Sequence, residues 1–371
     1  MEIPIQKDKI AIVIVGYNRL SSTQRLLSSL INAKYPKEEI PLVFCIDAGD
    51  NQELYNWVES VYWPHGNKYV IIQQVRLGLR KHIYVCGDLT YYFKGVIILE
   101  DDIFVSPDFY MYTCSAVEFY YQENSIAGIA LFADQTNGYA QGLPNFRFKD
   151  GSEAYLLQEV CTSGECFTDK MWQGFRQWLK ENEEKDPQSY YMPNSIKNWK
   201  NSWSKYYNMY ILDRVYYFLT PYLSRTTNCG DVGVHSNIDL NYLHAEMLWG
   251  IKKEYHFNTV DRSIKYDIFG DYVGLGQFLG ILEEDLCVDF YGNKPHRLSQ
   301  RYILSPYRLP YEVVQSYGLT IEPIEANIIH GLHGLDLFLY DTVVRTKDRR
   351  SKNLTLHQLS YFMRGTSYRV I

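Results

Sequence analysis

The chain has 371 residues, 46% hydrophobic and 22% charged, enough for about two globular domains, which excludes collagenous, disordered and disulfide-scaffold proteins. Its formal net charge of −6 argues against a general nucleic-acid-binding protein, because such proteins carry basic surfaces. The seven cysteines are odd in number and form no CxxC pair, so no zinc framework is visible and a reducing compartment is favoured. The apolar run that ends at Val15 is too short to span a bilayer, and we therefore expect a cytoplasmic protein.

The first hundred residues alternate apolar strands with helical segments. Strands are predicted at 9–18, 40–47, 68–75 and 95–100. This alternation predicts an α/β fold with a doubly wound, mostly parallel sheet flanked by helices. Ligands of such sheets bind beyond the carboxyl ends of the strands, so we expect the polar clusters at those ends to share one crevice. The clusters are Tyr17-Asn18-Arg19, Asp47-Ala48-Gly49-Asp50 and Glu100-Asp101-Asp102.

Later segments are patterned less clearly. The sequence Ser106-Pro107-Asp108 predicts the start of a helix with the serine as its cap. Residues 137–154 are rich in turn residues, 168–220 are aromatic and helical, and 251–371 have mixed patterning. No GxGxxG follows the first strand, which argues against an ordinary dinucleotide-binding fold.

The acidic triplet Glu100-Asp101-Asp102 is the sharpest chemical signal in the sequence. Three adjacent carboxylates at the end of a strand repel one another and need a compensating cation. A hard divalent metal such as Mn²⁺ or Mg²⁺, itself bound to a diphosphate, would meet that need. Solvated acidic triplets on loops are common, but this one directly follows the apolar run VIIL.

Six segments, taken in order, carry a resemblance to a known family. They are Tyr17-Asn18-Arg19, the strand end 46–49, the stretch 76–81, the run ILEDDIFVSPDFY at 98–110, Thr162-Ser163-Gly164-Glu165, and PYLSRTTNCGDVGVHS at 221–236. With them the chain resembles glycosyltransferases of the GT-A fold, most of all bacterial family-2-type enzymes and the eukaryotic N-acetylglucosaminyltransferases that initiate complex N-glycans. The resemblance implies a nucleotide-sugar-binding and catalytic domain over 1–240, followed by an accessory region over 241–371.

The resemblance also implies roles for individual residues. Tyr17, Arg19 and Asp47 would bind the donor, the last two at its uridine end, while Arg80 or Lys81 would approach the ribose or pyrophosphate. Glu100 would face the donor sugar, Asp101 the ribose and Asp102 the metal. The segment 228–235 would close over the donor and exclude water, and His235 would reach a phosphate or the metal.

The general base is where the sequence departs from the family pattern. Inverting relatives carry an aspartate in a Trp-Asp-Asp-Trp stretch, whereas the matching stretch here is Trp203-Ser204-Lys205-Tyr206. A displacement at the sugar still needs a group that accepts the proton of the acceptor hydroxyl. Glu165 and Asp231 are the nearby candidates, and an unidentified residue stays possible.

The expected activity is metal-dependent transfer of a sugar from a nucleotide donor, a UDP-sugar above all, to a hydroxyl of a glycan or lipid-linked acceptor. The alternatives are a binding protein without catalysis, which the missing aspartate allows, and a nucleotidyltransferase, whose Gly-rich signature is absent after the first strand. Residues 341–371 carry seven basic against two acidic side chains, so they either contact an anionic membrane surface or form a terminal helix on their own domain.

Overall fold

The computed structural model describes residues 3–140, 142–233, 243–295, 299–347 and 353–363. Two compact units interleave along the chain. The first unit comprises Met1–Ala133, Gly151–Tyr190 and Lys197–Ser263, and the second comprises Asp134–Asp150, Tyr191–Ile196 and Ile264–Ile371. The division after residue 240 that the resemblance implies stays a prediction.

Helices and strands alternate in the first part of the chain. These elements are β1 (Gln6–Gly16), α1 (Leu20–Asn32), β2 (Leu42–Ile46), α2 (Gln52–Ser60), β3 (Lys68–Ile72), α3 (Gly78–Asp88), β4 (Phe93–Glu100), β5 (Ile103–Val105), α4 (Phe109–Tyr120) and β6 (Ile126–Ala130). The next are β7 (Thr136–Asn137), β8 (Leu143–Pro144), β9 (Ala154–Leu157), β10 (Glu165–Thr168), α5 (Asp169–Asn182), α6 (Asn194–Asn198), α7 (Trp203–Arg214), β11 (Tyr217–Pro221) and β12 (Thr226–Asn228). The last are β13 (Lys265–Tyr266), β14 (Tyr272–Val273), α8 (Gly276–Leu279), β15 (Leu286–Val288), β16 (Tyr302–Ser305), β17 (Tyr311–Tyr317), α9 (Ile324–Ile329), β18 (Leu337–Arg345) and α10 (Leu356–Phe362).

The first unit is built on the four strands that the sequence predicts. They are hydrogen-bonded in the order β3-β2-β1-β4, and every pair among them is parallel. The β-branched run of β1 is buried on both faces, and apolar side chains of α1 such as Leu26 and Leu30 lie in the same core cluster. The predicted α/β class, with parallel strands flanked by helices, is confirmed.

Beyond β4 the sheet changes direction. Strand β10 lies between β4 and β6 and is antiparallel to both, whereas β11 is parallel to β6 and antiparallel to β9. Since β10 runs against β4, its first residue, Glu165, pairs with Ile98 near the carboxyl end of β4. The reversal therefore brings Glu165 to the edge of the sheet where the acidic triplet lies.

The predicted cap of the helix after β5 is wrong. Helix α4 begins at Phe109, and neither Ser106 nor Asp108 makes a capping bond to it. The Asp108 carboxylate instead accepts hydrogen bonds from Arg225 Nε at 3.2 Å and from Tyr255 Oη at 2.6 Å. Arg225 is buried, and a buried cation without a carboxylate partner is strongly destabilising. Asp108 therefore pairs with Arg225 rather than with the N–H groups at the start of the helix.

The second unit has its own sheet, with the order β15-β16-β18-β17, and its own apolar core. Leu354, Tyr361 and Phe362 from the end of the described chain pack in that core, so this part of the tail contacts its own unit. Of the basic tail residues, Arg345 and Lys347 are described and exposed. Across the described ranges, none of the helices combines the length and apolar character that a membrane span requires.

Candidate active site

The parallel register of β1 and β4 places the first polar cluster beside the acidic triplet. Val15 pairs with Glu100, so the chain that leaves β1 runs alongside the residues that follow β4. Arg19 Nη2 contacts Asp101 Oδ1 and lies 3.1 Å from Asp102 Oδ2. The structure thus brings three of the predicted residues, Arg19, Asp101 and Asp102, into direct contact.

Asn228, the last residue of the strand paired with β5, and Cys229 after it also reach the triplet. Strand β12 is antiparallel to β5, and this pairing sets Asn228 opposite Ile103. The backbone N–H of Cys229 donates to the carbonyl oxygen of Asp102 at 2.7 Å, and Asn228 Nδ2 donates to Asp102 Oδ1 at 3.4 Å. The backbone of Asp102 is therefore fixed.

The triplet carries more negative charge than its neighbours balance. Burial, together with the charges of Asp102 and Asp101, raises the pKa of Glu100 to about 8. Burial also raises the pKa of Asp101 to about 6, although Arg19 opposes the shift. Among the described contacts, the guanidinium of Arg19 binds Asp101 and Asp102 and not Glu100, which leaves hard carboxyl oxygen atoms that are only partly neutralised. A divalent cation such as Mn²⁺ or Mg²⁺ fits this donor set.

Asp47 organises the start of α3. Its buried carboxylate accepts from the N–H of Leu77 at 2.8 Å and of Gly78 at 2.9 Å, and it pairs with Arg76 Nε at 3.0 Å. Gly78 has φ of +72°, a left-handed conformation that glycine adopts without strain. Asp47 therefore fixes the backbone at the start of α3.

Arg76 stacks on Tyr17, a contact that sequence reasoning missed. Its guanidinium carbon lies 3.2 Å from the centroid of the Tyr17 ring. A Cβ placed on Gly49 would come within 2.7 Å of the same ring, so the close packing of Tyr17 requires glycine there. The loops after β1 and β2 also meet where Asn51 Nδ2 donates to the carbonyl oxygen of Asn18 at 2.9 Å. Arg76 does belong to the stretch 76–81 that carries the resemblance, but within this stretch a donor-binding role was predicted for Arg80 and Lys81 only.

The described contacts of Arg80 lie elsewhere. Its side chain contacts Glu183, donates from Nε to Tyr84 Oη at 3.2 Å, and lies 4.2 Å from the ring centroid of Tyr206. None of these described contacts joins it to the acidic triplet, and the neighbouring Lys81 is exposed. Donor binding by Arg80 or Lys81 stays a prediction.

The two candidate bases lie in different environments. Glu165 is 2% exposed, its Oε2 accepts the N–H of Gly164 at 3.1 Å, and burial beside Glu100 raises its pKa well above the usual value. Burial would also raise the pKa of Asp231, but hydrogen bonds from Arg25 and Ser22 outweigh it and lower that pKa. His235, the remaining predicted residue, lies outside the described residues.

Comparisons with known proteins return glycosyltransferase structures. No protein-family model matches the chain, and no curated protein matches it. S. aureus TarS 1–349 in complex with UDP-GlcNAc is 16% identical with a TM-score of 0.41, over 61% of this chain and 60% of that one. GalNAc-T7 with UDP, GalNAc and Mn²⁺ is 13% identical with a TM-score of 0.39, over 57% of this chain and 42% of that one.

A third structure is the mannosyltransferase PcManGT from Pyrobaculum calidifontis with GDP-Man and Mn²⁺, 10% identical with a TM-score of 0.34, over 57% of this chain and 54% of that one. The match spans less than two thirds of each of these solved chains. In this chain the four parallel strands, the reversed β10 and the acidic triplet after β4 occur together. Together they form an α/β fold with helices beside a mixed sheet, and the resemblance to the GT-A family stays a prediction.

Proposed function

We propose that the chain is a metal-dependent glycosyltransferase that moves a sugar from a UDP-sugar to a hydroxyl of a glycan or lipid-linked oligosaccharide in surface polysaccharide synthesis. The observation that carries the proposal is the cluster of three carboxyl groups at the end of β4, which one guanidinium only partly neutralises. Membrane contact and a cytoplasmic location remain part of the proposal, the first supported by the basic composition of residues 341–371 and the second by seven cysteines without a CxxC pair.

Asp102 would hold the cation. Hydrogen bonding of its backbone to residue 229 fixes its position, and its carboxylate is less buried than that of Asp101. When bound, Mn²⁺ or Mg²⁺ would neutralise the charge that develops on the departing nucleoside diphosphate. Arg19 would orient both aspartates and add positive charge on the same side.

The nucleotide end of the donor would lie where the loops after β1 and β2 meet. Tyr17 offers an aromatic ring there, held by Arg76 on one side and by close packing at Gly49. Asp47 would act on the donor through the loop that it fixes, since its carboxylate holds the backbone at Leu77 and Gly78. We therefore assign Asp47 a positioning role within the predicted donor site.

Of the two candidate bases, Glu165 is favoured over Asp231. A general base works best when its pKa lies near the working pH, and a carboxylate bound by a guanidinium holds its charge too firmly. Asp231 is in that position, because Ser22 Oγ lies 2.6 Å from its Oδ2 and Arg25 Nη1 lies 3.1 Å from its Oδ1. Glu165 lies beside Glu100 instead, which together with burial raises its pKa, and a bound cation would oppose the rise in both pKa values.

The deciding experiment is a screen of UDP-, GDP- and dTDP-sugars for release of the nucleoside diphosphate by the full chain, with and without Mn²⁺. We expect Mn²⁺-dependent release from one donor and its loss in Asp102→Asn. Asp8→Asn is the matched control, because Asp8 is exposed near the opposite end of β1 and should leave release unchanged.

The rival functions predict different results, the second of them with other substrates. A binding protein without catalysis would show donor affinity that depends on Asp102 but no release of diphosphate. A nucleotidyltransferase would release pyrophosphate from a nucleoside triphosphate and a sugar phosphate. Metal-independent release, or release that persists in Asp102→Asn, would contradict the proposal.

A further inference from the structure

A second cluster of metal-ligating side chains lies between β2 and α3. Cys45 belongs to β2, and His82 and Cys86 lie on α3. One ligand atom from each of the three lies within 4.8 Å of the others. All three are buried, with His82 2% exposed and both cysteines 0% exposed. None of them belongs to the acidic site after β4.

The spacing along α3 suits chelation. Residues four apart in a helix lie one above the other on the same face, so the side chains of His82 and Cys86 can approach one ion together. Cys45 belongs to the sheet, where it lies between Val15 of β1 and Ile71 of β3. The three side chains therefore converge from two rigid elements.

His82 supplies an independent sign that a ligand is missing from the cluster. Its Nε2 is buried and has no hydrogen-bond partner among the described residues. A buried polar atom without a partner is costly, and most such atoms in folded proteins are paired. An ion bound between His82 and the two sulfur atoms would satisfy it.

We propose that Cys45 Sγ, Cys86 Sγ and a ring nitrogen of His82 bind one zinc ion. Two thiolates and a neutral imidazole around Zn²⁺ form an uncharged group, which suits a buried place, and the two thiol protons leave to solvent on binding. Bonds of about 2.0–2.3 Å put tetrahedral ligand atoms roughly 3.3–3.8 Å apart, so small side-chain rotations close the cluster. The fourth position falls to water, and Gln73 Nε2 donates to Cys45 Sγ at 3.8 Å from outside the ligand set.

The ligand types separate this site from the one at Asp102. Thiolate and imidazole ligands select zinc, whereas carboxylate oxygen selects Mg²⁺ or Mn²⁺. Cys45 lies two residues before Asp47, which itself holds the start of α3. The zinc ion and Asp47 would both link α3 to the end of β2. The proposed role of the zinc ion is therefore structural.

The test is a titration of the full chain, reduced and stripped of metal, with Co²⁺ as a spectroscopic probe followed by Zn²⁺ as competitor. We expect about one equivalent of Co²⁺ with tetrahedral absorption and a thiolate charge-transfer band, displaced by about one equivalent of Zn²⁺. Cys45→Ser and Cys86→Ser should lose the band and lower bound zinc at least about tenfold. Cys287→Ser is the matched control, since Cys287 is a buried cysteine of the second unit and should leave the band unchanged.

Three results would overturn the proposal. They are the absence of the thiolate band in the reduced wild-type chain, full zinc binding by Cys86→Ser, and a Cys45–Cys86 disulfide in the mass spectrum of the purified chain, which would assign a redox pair instead. If a serine variant fails to fold, the wild-type spectrum and His82→Gln decide, because loss of one nitrogen ligand weakens and shifts the band. None of these measurements requires sugar transfer, so they are independent of the proposed function.

Discussion

Arg19 Nη2 lies 3.1 Å from Asp102 Oδ2, although the two residues are 83 positions apart in the sequence. This contact occupies one oxygen of the carboxylate proposed as the metal ligand. A cation that binds Asp102 therefore meets a guanidinium already at the site, and the two share the negative charge of the triplet. Metal affinity should consequently depend on how many carboxyl groups of the cluster are ionised.

We predict that the affinity for Mn²⁺ rises with pH. The pKa of Asp101 is raised to about 6 and that of Glu100 to about 8, so both lose protons as the pH increases through this range, and the cation prefers the ionised cluster. Calorimetric titration at several pH values, in buffers of different ionisation enthalpy, measures both the affinity and the protons released. Affinity that does not change with pH, with no proton release, would contradict this electrostatic description.

The same shift predicts how stability depends on pH without metal. The folded state raises the pKa of Glu100 from 4.5 to about 8, so it binds this proton more tightly than the unfolded chain does. The contribution of Glu100 to the free energy of unfolding is therefore complete below pH 4.5 and is lost as the pH rises through about 8. Denaturant unfolding should show a fall over this range that Mn²⁺ reduces and that Glu100→Gln makes shallower. An identical pH profile for Glu100→Gln would show that this carboxyl is not the source.

Substitution of the candidate bases should separate their roles. Glu165→Gln is expected to lower turnover by about 10²–10⁴ with little change in UDP affinity, because general-base catalysis contributes a factor of that size. Asp231→Asn should have a smaller effect on turnover, since its carboxylate is bound by Arg25 and Ser22. Steady-state kinetics with the donor found in the screen, together with UDP binding, measure both. Full turnover in both variants would mean that neither residue is the base.

Asp47→Asn should loosen the start of α3. An amide in place of the carboxylate loses the ion pair with Arg76 and can no longer accept from every N–H that now points at it. We expect a loss of about 1–3 kcal/mol in the free energy of unfolding and weaker UDP binding. Asp50→Asn, at an exposed position of the same turn, is the control and should change neither quantity. Hydrogen exchange at residues 77 and 78 should increase in Asp47→Asn alone.

The sequence was sufficient to predict the features that depend on local pattern. The apolar runs predicted β1 to β4, and the rule that polar clusters meet at strand ends predicted that Arg19, Asp101 and Asp102 would share one crevice, where the structure shows them in contact. These features follow from the period of the hydrophobic residues and from the geometry of parallel sheets, which a single sequence contains.

Features that depend on distant partners were missed. Asp108 does precede helix α4, but nothing in the local sequence indicated that its carboxylate binds the buried Arg225, which is 117 positions away. The cluster of Cys45, His82 and Cys86 was missed because it has no CxxC spacing and takes one member from the sheet and two from a helix. The ion pair of Asp231 with Arg25 spans 206 positions and gives no local signal either.

The reversed direction of β10 has a consequence for how this scaffold can change. Residues 158–164 enter β10 at the edge that also carries the acidic triplet, while the strands that hold the triplet are parallel and begin at the opposite edge. Ser163 and Gly164 must be kept, because Thr226 Oγ1 of β12 donates to the carbonyl oxygen of Ser163 at 2.6 Å. Exchange of residues 158–162 can then alter what approaches Glu165. If the chain transfers a sugar as proposed, we expect a chimaera with a foreign 158–162 segment to change acceptor use and to keep its nucleotide preference.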